Sequence, residues 1–141
     1  MIELYFGFHA PYFAKDGWPH PPGWLGHCEA WGYDEDETWT FIDPQAKGVF
    51  VRSFYKRDDV LDQLNARFAL CRSILRVPAR EPSFRFPLHG PMTCASICGA
   101  LVGIRALAPS GLHRKLTAIG AVEIHDTQAR PSGIGEDAAR A

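Results

Sequence analysis

Several things are missing from this 141-residue chain, and each gap closes a class of function. It has no excess of basic charge: 15 Lys and Arg stand against 16 Asp and Glu, a formal net charge of -1. No electrostatic pull toward nucleic acid or an anionic membrane surface follows from that balance. No run approaches the roughly 18 consecutive apolar residues that a spanning helix needs. The opening MIELYFGFHAPYF lacks the basic n-region of a secretory signal. The reading is therefore a protein made and kept in the cytoplasm, with neither nucleic acid nor membrane as a partner. Internal repeats are absent as well.

Cysteine is sparse and badly spaced for zinc. Cys28, Cys71, Cys94 and Cys98 are the whole set. In a cytoplasmic chain of this length they need no disulfides. Cys94 and Cys98 lie four apart, yet no second closely spaced pair completes a zinc knuckle. Zinc held by Cys94, Cys98 and a histidine is the weaker alternative, and the expected metal ligands and cofactors are none. The acidic run DEDE at 34–37 lacks the ligand spacing of a calcium loop and reads as a solvated hairpin tip.

What is present is an ordinary globular composition, 46% hydrophobic and 22% charged, in a length that suits one domain. MIELYFGF reads as a strand. WLGHCEAW (24–31) and TWTFID (38–43) flank GYDEDE as a hairpin, and KGVFVRSFY adds a third strand of an antiparallel meander. From Asp58 the period changes. Val60, Leu61, Leu64, Phe68 and Cys71 recur at three- and four-residue spacing, predicting an amphipathic helix over 58–70 capped by Asp58 or Asp59. CRSILRV reads as a further strand. The spacing predicts helices over 94–106 and about 110–119, parted by Pro109. The expected architecture is α+β, an antiparallel meander packed against helices, with a single domain over 1–125 and a flexible tail over 126–141. That tail lacks large apolar residues apart from Ile134 and is expected to be mobile or to order against a protein partner.

The chemistry starts at HGPMTCASICGALVGI (89–104). Thr93 is a good N-cap residue, which puts Cys94 in a first helical turn, where free N–H groups favour a thiolate. Cys98 reads as core, and Gly99 with Gly103 as a face held tightly against a sheet. A nucleophile needs a base and the base an orienting acceptor. A hairpin turn centred on Glu35 sets Trp31 opposite Trp39, Glu29 opposite Phe41 and His27 opposite Asp43, all on one face. Glu29 is the rival acceptor, and His89 the rival base. A buried structural thiol remains the other reading of Cys94.

GHCEAW, TFIDP and TCASICGALVGI together resemble the circularly permuted papain-like cysteine hydrolases, the NlpC-type amidase and lecithin:retinol acyltransferase-like group. There a histidine on one strand and a polar residue on the next precede a cysteine at the start of a helix. The resemblance implies a permuted papain-like fold with Cys94 as nucleophile, His27 as base and Asp43 as orienting group. It also implies a thioacyl-enzyme cysteine peptidase or amidase acting on a peptide-like or cell-wall amide. The segment LVGIRALAPSGLHRKLTAIGA resembles the end of small phage- or prophage-encoded proteins, so a virion-associated location is the alternative setting. The alternative function is a non-catalytic assembly protein of the same fold. Trp18, His20 and Trp24 are expected to form one wall of the cleft.

Overall fold

The computed structural model describes residues 3–11, 25–78 and 92–127. Within them the chain runs β1 (Glu3–His9), β2 (His27–Tyr33), β3 (Trp39–Gln45), β4 (Gly48–Phe54), α1 (Arg57–Leu70), β5 (Ser73–Pro78), α2 (Cys94–Ala100), α3 (Pro109–Ala118) and β6 (Val122–Asp126). The six strands form one antiparallel sheet in the order β4-β3-β2-β1-β5-β6. The class is α+β, as the element pattern predicts. None of these helices is long and apolar enough to cross a membrane.

Alternation along each strand sorts side chains to two faces. Phe6, Phe8, Cys28, Ala30, Leu75 and Val77 share one face and form the larger core with Ala95 and Cys98 of α2 and Leu112 and Leu116 of α3. Trp31, Phe41, Cys71 and Ile74 occupy the other, with Tyr5, Trp39, Phe54 and Leu64 packed around them. The sheet is thus covered on both sides, by α2 and α3 on one and by α1 on the other.

Several expectations need correction. The β2–β3 hairpin pairs Ala30 with Ile42 and Trp31 with Phe41, so its turn centres on residue 36 instead of Glu35. Glu37 adopts a left-handed conformation (φ 63°) inside that turn, and Asp34 and Thr38 close it. Helix α1 is capped by Lys56 with no side-chain bond. Asp58 and Asp59 lie inside its first turn, where they complement the dipole without capping. Of its predicted apolar stripe, Val60 is buried and Leu64 half-buried, while Leu61 and Phe68 stay exposed.

Helix α2 is shorter than predicted. It stops at Ala100 because Gly103 turns left-handed (φ 72°), and the Ile104 N–H returns to the Gly99 carbonyl at 2.8 Å. That 6→1 bond, with Gly103 N–H on Ala100 O, is a Schellman ending. Gly99 is small because Ile104 O occupies the space of a Cβ, whereas nothing approaches Gly103. The tight face predicted for this pair is therefore a turn of the chain on itself. The last strand, β6, lies where no element was predicted. The wall residues Trp18, His20 and Trp24, His89, and the tail from 128 onward lie outside the described residues.

Candidate active site

Two strand ends and one helix start converge. Thr93 caps α2 with a full capping box: its hydroxyl accepts from Ser96 N–H at 3.1 Å, and the Ser96 hydroxyl accepts from Thr93 N–H at 2.8 Å. This pins Cys94 at the first helical position, half-buried. His27 opens β2, so its ring lies at the end of the sheet where the two faces meet. On one side it lies near enough to Cys94 for each group to shift the other's titration. On the other, its Nε2 lies 2.8 Å from Asp43 Oδ1. The three residues named from sequence are brought together.

The His27–Asp43 contact survives the register error for a simple reason. Moving the turn centre by one residue shifts each partner by two, which preserves the face. Asp43 therefore reaches His27 diagonally, within the range of cross-strand neighbours two residues apart. Gln45, also two residues on and on the same face, donates from Nε2 to Asp43 Oδ2 at 2.7 Å. Sequence reasoning missed Gln45, although the strand period alone could have found it. Glu29, the rival acceptor, faces Arg67 (3.1 Å) and His9 (3.9 Å) instead of His27.

The electrostatics separate the roles. His27 is shifted up, first by the Cys94 thiol and then by Asp43, against the opposing effect of burial. Burial pushes Asp43 up, but the Gln45 and His27 hydrogen bonds outweigh it and leave the carboxyl below its ordinary value. Asp43 is thus an anion at neutral pH, able to accept from Nε2–H and leave Nδ1 as the basic nitrogen. Cys94 is different: its thiol is pushed up to about 12 by the neighbouring Cys28 thiol and by burial, with His27 pulling the other way. Cys28, fully buried, is itself raised, its bond to Cys98 and burial outweighing the opposing effect of Cys94. Helix α2 has only seven residues, so its dipole adds little. Cys28 and burial thus oppose, and His27 favours, the thiolate expected at a helix mouth.

Cys98 is fully buried, as predicted, and its sulfur lies 3.8 Å from the Cys28 carbonyl. All four cysteines are free. A cleft of about 300 Å³ opens beside Asp43 and Gln45, with Arg52, Arg67, Phe41 and Phe50 in its wall. Cys94 is not part of that wall. No protein-family model matches the chain, and comparisons with curated proteins and with solved structures return no match.

Proposed function

We propose that the protein is a cysteine-dependent amide hydrolase of permuted papain-like type, a peptidase or amidase for peptide-like substrates such as cell-wall peptides. The observation that carries this reading is the His27–Asp43 pair at 2.8 Å set beside Cys94, whose sulfur favours the charged imidazole. As the scissile carbonyl approaches, the Cys94 S–H proton passes to the free nitrogen of His27 while sulfur bonds to the carbonyl carbon. The imidazolium so formed is stabilised by Asp43 and then protonates the leaving amine. Water adds to the thioester, returning its proton through His27, and the acid product leaves with the thiol restored. Arg52 in the adjacent cleft suits a carboxylate group on such a substrate.

The test needs no known substrate. A small chloroacetamide electrophile is applied to the folded protein at neutral pH, and adducts on the four cysteines are followed by peptide mass spectrometry. Cys94 should label fastest and slow at least about tenfold in His27→Ala, the usual scale of general-base assistance. Labelling of Cys94 that ignores His27→Ala, or that is no faster than Cys28, would leave a packing protein. Release of an amine from a cell-wall peptide digest, abolished in Cys94→Ala, then reports the substrate.

A further inference from the structure

A second group of chemistry-bearing side chains lies on the α1 side of the sheet. His9 ends β1, Glu29 sits mid-way along β2, and Cys71 caps the end of α1. His9 Nε2 is 3.7 Å from Cys71 Sγ and 3.9 Å from Glu29 Oε2, and the three ligand atoms all lie within 4.8 Å of one another. Glu29 is only 7% exposed and Cys71 1% exposed, whereas His9 is half-buried. The hydrolase mechanism uses none of them.

We propose that His9, Glu29 and Cys71 form a zinc-binding site, with Arg67 orienting the carboxylate from outside it. A tetrahedral zinc with bonds of about 2.0–2.3 Å holds its ligand atoms roughly 3.4–3.8 Å apart, close to the two separations from His9 Nε2. An imidazole, a thiolate and a carboxylate are a mixed set that zinc accepts and that magnesium or calcium do not favour.

Two observations describe how the cluster is held. Glu29 Oε1 lies 3.1 Å from Arg67 Nε without an aligned hydrogen bond, so the guanidinium fixes that oxygen while Oε2 faces His9. Room is also set aside for the sulfur: a Cβ on Gly7 would fall 2.6 Å from Cys71 Sγ, so only glycine lets the thiol sit over β1. Arg67 is held in turn by the Gln63 carbonyl and side chain and lies 4.3 Å from the Phe41 ring centre. This is the kind of outer support that fixes a metal ligand's orientation.

Binding converts the Cys71 thiol to thiolate, its proton passing to solvent as the Zn–S bond forms. The ion's two positive charges then face one thiolate and one carboxylate, the latter shared with Arg67. The half-exposed side at His9 leaves a fourth position for water.

The test uses the full chain stripped with a chelator and titrated with Zn²⁺ against a chromophoric competitor, and separately with Co²⁺. One equivalent should bind, and cobalt should show the near-ultraviolet band of a thiolate ligand. Cys71→Ser should abolish that band, Glu29→Gln should weaken zinc binding about 10- to 100-fold, and Cys94→Ala should leave both intact. Should Cys71→Ser fail to fold, Glu29→Gln and the wild-type stoichiometry still decide the matter. Absence of a tight equivalent in the wild type overturns the proposal. So does a thiolate band that survives Cys71→Ser and disappears in Cys94→Ala. These readouts are independent of catalysis, so they stand or fall apart from the hydrolase reading.

Discussion

Replacing Asp43 by Asn removes a charge while keeping a side chain of nearly the same shape. Asp43 accepts from two donors, His27 through Oδ1 and Gln45 through Oδ2. Asn has one carbonyl oxygen, and His27 is the partner that cannot adapt, whereas the Gln45 amide can turn over and offer its own oxygen. The expected Asp43→Asn structure therefore keeps the 2.8 Å contact and loses only the negative charge. A hydrogen bond to a charged group contributes about 1.5–3 kcal/mol, and the side chains of His27 and Asp43 are about three-quarters buried, so solvent screens the pair only in part. That loss bears on the step in which His27 becomes imidazolium. The expectation is a fall in kcat/KM of about 10- to 150-fold with KM little changed. Nuclear magnetic resonance titration of the His27 ring should show its pKa falling. A variant with folded spectra, an unshifted His27 and activity within about twofold of wild type would refute the reasoning.

Further outcomes follow from the same geometry. Cys28→Ala removes the neighbour that most raises Cys94, so chloroacetamide labelling of Cys94 should accelerate at neutral pH. Gly7→Ala drives a methyl group into Cys71 Sγ and the Trp31 ring at 2.6–2.8 Å, and thermal unfolding should register a loss of about 1–3 kcal/mol. Gly99→Ala meets the backbone oxygen of Ile104 and should distort the α2 ending, lowering both stability and Cys94 labelling in parallel. The pH dependence has two limbs. His27, raised on folding, stabilises the native state at low pH and loses that contribution as pH climbs through its folded pKa. Asp43, lowered on folding, contributes above its unfolded pKa and loses this as pH falls through its folded value. Urea unfolding of wild type and Asp43→Asn should therefore differ most between those two pKa values, converge as pH falls below that of Asp43, and keep a smaller difference above that of His27, where Gln45 still donates to the carboxylate.

Much of the sheet was legible because aromatic and β-branched residues punctuated by turns leave few alternatives to a strand, as in ELYFGFH and HCEAWGY. The triad residues were legible because period-two alternation tolerates an error of two: the turn was misplaced, yet Asp43 stayed on the face of His27. Helix ends were less readable. Val102 and Ile104 continue an apolar pattern past Ala100, and only the left-handed Gly103 reveals that the chain has already turned. β6 escaped notice because Val122 and Ile124 are exposed on an edge, so no buried periodicity marks it. The His9, Glu29 and Cys71 group was invisible for another reason: β1 pairs with both β2 and β5, and no local spacing announces a contact between a strand end, a neighbouring strand and a helix cap.

The order in which the ribosome delivers these parts matters too. β2 and β3, carrying His27 and Asp43, leave the exit tunnel well before α2, and the Cys94 sulfur arrives on an element that docks against the five strands made before it, with β6 still to come. A half-made chain therefore holds a histidine–aspartate pair with nothing to activate. On the proposed reading, hydrolytic power would switch on only once α2 has followed β1–β5 out of the tunnel.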